Sequence, residues 1–285
     1  MFYYLLYKMG EFLALHLPLK VSYWLALRIA DIFYLLNWRE RQIVKNNLRI
    51  ALKEDEKSVA HYSRAVFRNF AKNLVEFFRF SKVDSSFLKK FVKIEGQEHF
   101  DQAFALQKGI IGITAHLGNW ELSGAVASTL GYPLNVVVLS HRHRLIDDFF
   151  TRKRAEKGIK GMPIRSSIKE FISVLRSNRM LVLAGDRNFS KKGIEVDFFG
   201  KSARMPVGMA TLALRLKSPV IPGFLIREKD NSFRFIIEKP IVYKASGNLD
   251  ADLKNFTRQC LEVIEKYVRK YPEQWATFGR VWENR

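Results

Sequence analysis

The residues able to do chemistry in this 285-residue chain gather in three short stretches. The first is "ITAHLGNWELSG", residues 113–124, which sets His116 just past a run of small apolar residues and Glu121 five positions later. A carboxylate bonded to one imidazole nitrogen fixes the tautomer and raises the basicity of the other nitrogen. That nitrogen can then take a proton from an attacking hydroxyl. Gly118 lets backbone or ligand approach closely, and Asn119 is a good helix cap. The competing reading is a plain strand-to-helix turn in which Glu121 only offers negative charge to the helix start. The position directly after a buried strand favours the base. The second stretch is "HRHR", residues 141–144, where Arg142 and Arg144 bring positive charge. The third is "LAGDRN", with Asp186 and Arg187. A carboxylate at the end of a buried strand needs a partner, and Arg187 or Arg142 can serve.

Each stretch needs a strand to deliver it. "GIIGITA", "PLNVVVLS" and "RMLVLAGD" are continuous apolar runs, the pattern of strands buried on both faces. "FVKIEG", "PVIPGFLIRE" and "SFRFIIEKPIVY" supply further strands. Helical periodicity marks "NWELSGAVASTLG", closed by Gly131, then "LIDDFFTRKRAEKG", "SIKEFISVLRSN", the proline-initiated "PVGMATLALRLKS", and "DADLKNFTRQCLEVIEKYVRKYP". Residues 38–80 read as helical, on "RERQIVKNNLRIALK" and "HYSRAVFRNFAKNLVEFFRF". The alternation predicts an α/β fold, with a mixed, mostly parallel sheet flanked by helices on both faces. Ligands in such sheets bind beyond the carboxyl ends of the strands. His116, the 141–144 group and Asp186 all follow strands directly, so three strands converge on one edge.

The remaining composition bounds the partners. Lys and Arg number 48 against 28 Asp and Glu, a formal net charge of +20. The excess favours an anionic partner: an acidic carrier protein, a phosphorylated lipid or an anionic membrane surface. Zinc-finger spacing, a glycine-rich RNA-binding signature and a basic zipper are all missing, so nucleic acid is not expected. The single cysteine, Cys260, excludes an intrachain disulfide and a cysteine metal cluster, and its helical surroundings predict a buried thiol. Residues 1–36 are the most apolar stretch. Lys20, Arg28 and Asp31 interrupt it and Pro18 breaks it, so it falls short of the roughly 20 apolar residues of a spanning helix. At about 100° per residue the three charges share one stripe, with Val21, Trp24, Leu25, Ile32 and Leu36 on the apolar surface around it. The expected arrangement is an amphipathic, membrane-associating segment over 1–36, followed by one α/β domain over 37–285.

Taken together, the blocks resemble the bacterial late acyltransferases of lipid A biosynthesis and their lysophospholipid acyltransferase-like relatives. The resemblance covers nearly the whole chain. It rests, in order, on "RERQIVKNNL", "AHLGNWEL", "VVLSHRHR", "LAGDRN", "VDFFGKSARMPVGMATLALRLKSPVIP" and "YPEQWATFGRVW". It implies a glycerolipid acyltransferase-like fold at the cytoplasmic face of the inner membrane. It also implies transfer of a fatty acyl chain from acyl carrier protein or acyl-CoA to a glycolipid hydroxyl, most of all on a lipid A precursor. No metal or cofactor is implied. By position, His116 becomes the general base and Glu121 its partner. Arg142 becomes the functional arginine and Asp186 the later acidic residue. Gly118, Asn119 and Arg187 complete the substrate-binding candidates, with the N–H groups near Gly118 and Asn119 as donors to a developing oxyanion. Asn188 stands where some lipid A enzymes carry a second acid, and Gly279 where many members have histidine; both bear on the acceptor.

Two rival readings remain. His116, His141, His143, Asp147 and Asp186 could surround a divalent metal in a hydrolase. The chain could also bind lipid or carrier protein without catalysis. Within related families the acceptor could instead be a mannosylated phosphoinositide, another glycolipid or an aminolipid.

Overall fold

The computed structural model describes residues 1–189 and 193–282. Eleven helices and nine strands are formed by the described residues. The chain opens with α1 (Phe2–His16), α2 (Leu19–Leu36), α3 (Trp38–Leu52) and α4 (Glu56–Phe78). Pro18 separates α1 from α2, and the side chains of Asn37 and Asp55 cap α3 and α4 by accepting from the Glu40 and Ser58 N–H groups. Next come α5 (Ser85–Phe91), β1 (Val92–Glu95), α6 (Gln97–Ala105), β2 (Ile110–Thr114), α7 (Trp120–Thr129) and β3 (Leu134–Val138). They are followed by α8 (Arg144–Ala155), β4 (Lys160–Pro163), α9 (Ile168–Arg176) and β5 (Met180–Ala184). The last third holds β6 (Ile194–Phe198), β7 (Lys201–Met205), α10 (Gly208–Leu216), β8 (Val220–Arg227), β9 (Phe233–Ile237) and α11 (Leu249–Lys270).

Seven strands make one sheet in the order β1-β9-β8-β2-β5-β3-β4, and β6 and β7 form a separate hairpin. Every pairing in the large sheet is parallel except β8 with β9. The predicted mixed, mostly parallel α/β architecture is therefore the one observed. Side chains alternate across the sheet with period two. Ile111 and Ile113 of β2, with Val220, Phe224 and Ile226 of β8, enter one core beside α10 and α11. Ile110, Ile221 and Leu225 enter the other, beside α6, α7 and α8. Helix α4 feeds both, through Val59, Val66 and Phe67 on one side and Val75, Phe77 and Phe78 on the other.

The proline of "PVGMATLALRLKS" lies one residue ahead of the helix cap, because Val207 is the cap of α10. Strands β4, β6 and β7 and helices α5 and α6 add to the elements expected from sequence.

The first two helices are built inside out. Helix α2 buries Ser22, Tyr23 and Ala30. It turns Asp31 inward, onto Arg64 and Arg68 of α4, at 3.0 Å each. Its large apolar residues face outward, with Trp24 58 %, Ile29 67 %, Leu35 68 % and Leu36 81 % exposed. Helix α1 repeats the pattern, burying Glu11 and Ala14 while Phe2, Leu5, Met9 and Phe12 are exposed. No described helix is long and apolar enough to cross a membrane.

Candidate active site

Strands β2 and β5 are parallel neighbours, with Thr114 opposite Ala184. His116 and Asp186 each lie two residues beyond those partners, so they leave the sheet side by side at the same depth. The His116 Nδ1 lies 2.8 Å from Asp186 Oδ1, and the His116 main-chain N–H donates to the same oxygen at 3.2 Å. The other oxygen, Oδ2, accepts from the Trp275 indole N–H at 2.9 Å. Asp186 and Trp275 are fully buried. Burial alone would raise the Asp186 pKa. The facing His116, Arg187 and the indole donor outweigh it, and the carboxyl is held well below its ordinary range. An ionised Asp186 can only accept, so a neutral His116 imidazole carries its proton on Nδ1 and leaves Nε2 as the acceptor. Among the described residues Nε2 has no partner. The Trp120 ring lies edge-on to the imidazole at 5.2 Å and the Phe189 ring at 6.3 Å.

This geometry corrects the pairing expected from the His-x4-Glu spacing. Both Glu121 oxygens are taken by Arg154 of α8, at 2.6 and 3.0 Å. The acid on the imidazole comes from the next strand rather than from the next helix. Asp186 in turn finds its partners in His116 and Trp275, while Arg142 is exposed. Arg187 donates through Nη2 to the Ala276 carbonyl, and its buried Nε has no partner among the described residues.

The expected oxyanion donors are also corrected. The Gly118 N–H donates to the Gln274 carbonyl at 3.1 Å and the Asn119 N–H to the Leu225 carbonyl at 2.9 Å, so both are already committed. Gly118 is needed for close approach of backbone rather than ligand. It has φ +62°, and a Cβ there would lie 2.1 Å from the Leu225 oxygen. Asn119 caps α7 as expected, accepting from the Leu122 N–H at 3.0 Å, while its amide donates to Glu76.

Of the 141–144 group, His141 packs on the Phe150 ring at 4.6 Å, and its N–H donates to Asp147 at 2.7 Å. Burial lowers its pKa below the usual histidine value. His143 meets the N-terminal amine. The residues of the metal-hydrolase reading are thus dispersed, and no three His, Cys, Asp or Glu among the described residues could hold a metal ion. Cys260 is the buried thiol expected, and that burial pushes its pKa up to about 12.

Trp275 was missing from the sequence-based site. It arrives on the segment after α11, where Leu117 and Trp275 form an antiparallel bridge and the Ala276 N–H donates to the His116 carbonyl at 2.7 Å. The "YPEQW" stretch was its available signal.

A mostly parallel sheet with a carboxylate–imidazole pair just beyond the ends of two adjacent strands defines an α/β protein with a polar centre at the carboxyl edge of its sheet. The chain belongs to the bacterial lipid A biosynthesis acyltransferase family, whose model matches residues 1–284. It is 31 % identical over 190 residues to the lipid A biosynthesis acyltransferase of Haemophilus influenzae, covering 66 % of this chain and 58 % of that one. It is 26 % identical over 194 residues to a phosphatidylinositol mannoside acyltransferase of Mycobacterium tuberculosis, covering 66 % of this chain and 59 % of the relative. The corresponding protein of Mycolicibacterium smegmatis is 23 % identical over 251 residues, 86 % of this chain and 80 % of the relative. The match thus spans a little under three fifths of the Mycobacterium tuberculosis relative.

Proposed function

We propose that the protein is a membrane-associated O-acyltransferase that moves a fatty acyl chain from a thioester donor to a hydroxyl of a glycolipid. The observation that carries this reading is the His116–Asp186 pair at the carboxyl edge of the sheet, with Nε2 unpartnered among the described residues. His116 Nε2 takes the acceptor hydroxyl proton as the oxygen attacks the thioester carbonyl. Asp186 stabilises the imidazolium. The C–O bond forms, the C–S bond breaks, and the proton passes from Nε2 to the departing sulfur. The Trp120 and Glu121 N–H groups, which open α7 and have no acceptor inside the helix, are the remaining candidates to meet the oxyanion.

The surroundings suit both substrates. Leu139, Ile164, Ile168 and Phe189, all beyond strand ends on this edge, leave apolar surface for an acyl chain. Exposed Arg142 and half-buried Arg187 offer charge to a phosphate or an acidic carrier protein. The relatives' names span two acceptor classes, phosphatidylinositol mannoside and lipid A. A lipid A precursor is the favoured acceptor and acyl carrier protein the favoured donor, with acyl-CoA second. The decisive assay mixes purified protein with acyl carrier proteins of several chain lengths and a tetra-acylated lipid A precursor, read by mass spectrometry. Wild type should add the mass of one acyl chain and His116→Ala should add none. If neither adds it while a control enzyme does, the lipid A acceptor is wrong, and phosphatidylinositol mannoside and then a total membrane-lipid extract take its place.

Residues 1–36 would act as the membrane-docking segment of a catalytic domain over 37–285, placed at the cytoplasmic face of the inner membrane. The support is the outward apolar face of α1 and α2. Withdrawing one such side chain from water is worth about 1.5–3 kcal/mol. Ile29→Ser with Leu36→Ser should therefore weaken binding to phosphatidylglycerol-containing vesicles at least about tenfold, measured by co-sedimentation. Unchanged binding would remove α2 from the docking surface.

A further inference from the structure

A buried polar network ties the outward-facing helix α2 to both halves of the His116–Asp186 pair. Its centre is Arg227, the last residue of β8. Arg227 makes a two-pronged ion pair with Glu76 of α4, with Nη2 at 2.7 Å from Oε2, and both side chains are almost fully buried. Glu76 also accepts from the Asn119 amide, at the start of α7. Arg227 Nη2 donates to Asn73 Oδ1 at 2.7 Å, and the Asn73 amide donates to the Gly118 carbonyl at 2.7 Å. The loop just past His116 is thus held from beneath at two consecutive residues.

The same arginine holds the other half. Its main-chain N–H donates to Gln274 Oε1 at 3.0 Å, and Gln274 Nε2 donates back to the Arg227 carbonyl at 2.9 Å. Gln274 directly precedes Trp275, the residue that binds Asp186.

The outer end of the network is Tyr23 of α2. Its hydroxyl donates to Glu76, and the Arg227 guanidinium lies 5.8 Å from its ring. Burial, then the facing Glu76 charge, keep the phenol protonated far above its ordinary range, so it acts as a donor. We propose that Tyr23 is a positioning residue: seating α2 places its hydroxyl on Glu76, and the Glu76–Arg227 pair transmits that seating to the His116 loop and the Trp275 segment. This rests on His116 being the catalytic base, and it links docking of the apolar face of α2 to the geometry of the centre.

The fold supplies its own control. Helix α2 is pinned to α4 a second time, by Asp31 with Arg64 and Arg68, and none of these three touches Glu76, Asn119 or Arg227. Tyr23→Phe removes one hydroxyl and keeps the ring. Removing Glu76 or Arg227 instead would leave a buried charge unpaired and endanger the fold. With acyl donor and glycolipid in mixed micelles, Tyr23→Phe should lower kcat about fivefold or more with donor KM within about twofold, and rescue should fail at saturating substrate. Asp31→Asn, brought to the same melting temperature comparison, should keep kcat within about twofold. Amide hydrogen exchange across residues 116–122 should quicken in Tyr23→Phe and not in Asp31→Asn. Equal loss of kcat in the two variants, tracking their melting temperatures, would overturn the proposal, as would an unchanged Tyr23→Phe. If wild type transfers no acyl chain, the enzymatic reading fails by itself. The exchange comparison then still decides the coupling: faster exchange confined to Tyr23→Phe supports it, and identical exchange overturns it.

Discussion

Asp186→Asn is expected to lower kcat by about ten-thousandfold, the size of loss when the carboxylate of a Ser-His-Asp triad becomes an amide. In the native pair, Asp186 Oδ1 faces the His116 Nδ1 proton while Oδ2 accepts from Trp275. An asparagine can keep its oxygen on the Trp275 indole only by turning its amide toward His116. The amide donates, so Nδ1 must become the acceptor and the proton moves to Nε2. Nε2, the position proposed to act as the base, is then masked in the wrong tautomer, and the imidazolium loses its counter-charge. Kinetics by thiol release and melting by fluorimetry would separate this from unfolding. The stability of the two proteins should also diverge with pH in a defined sense. The wild-type carboxyl titrates below its ordinary value. Its stabilisation is therefore complete above about pH 4, the unfolded value, and is lost as pH falls toward the folded one. The gap between wild type and Asp186→Asn should close on acidification.

Much of this centre was legible in the sequence, because its strands are buried on both faces and write themselves as unbroken apolar runs. "GIIGITA" and "RMLVLAGD" gave β2 and β5 together with the polar residue that follows each. The pairing between them was not legible. His116 and Asp186 are 70 positions apart, and strand order in a parallel sheet is a tertiary property with no local trace. The His-x4-Glu spacing made the nearby acid conspicuous, yet Arg154, on another helix, claims that acid. The β6–β7 hairpin hid for a different reason. Its two turn residues, Phe199 and Gly200, both have positive φ, at 60° and 79°. Such turns normally announce themselves with Asn-Gly or Asp-Gly. Here Phe199 accepts the left-handed conformation because its ring packs on Trp275 at 5.7 Å and its N–H donates to Glu265 at 2.8 Å. In α2 the periodicity was visible, but not that its three charges part company: Lys20 and Arg28 stay exposed while Asp31 turns inward. Asp31 points inward because α4 presents two arginines to it.

Glu121→Ala is expected to act on stability before chemistry. Its carboxylate grips Arg154 through two hydrogen bonds, and the guanidinium also lies 5.8–5.9 Å from the Phe150 and Phe77 rings. Removing the acid leaves a largely buried cation without its hydrogen-bonded carboxylate, with only the more distant Asp147 charge facing it, a loss of about 3 kcal/mol. In a chain of this size that is a fall of roughly 5–10 °C in melting temperature. Arg154→Ala should destabilise in the same direction, and the double variant by clearly less than the sum, since the two residues share one interaction. Per folded molecule, kcat of Glu121→Ala should fall at least about tenfold less than that of Asp186→Asn, because the partner of the imidazole is untouched. The opposite pattern would be equally informative. If Glu121→Ala melts like wild type and loses as much kcat as Asp186→Asn, the carboxylate must leave Arg154 for His116 when substrate binds. The spacing that first singled out Glu121 would then describe the working complex, with Arg154 holding the acid in reserve.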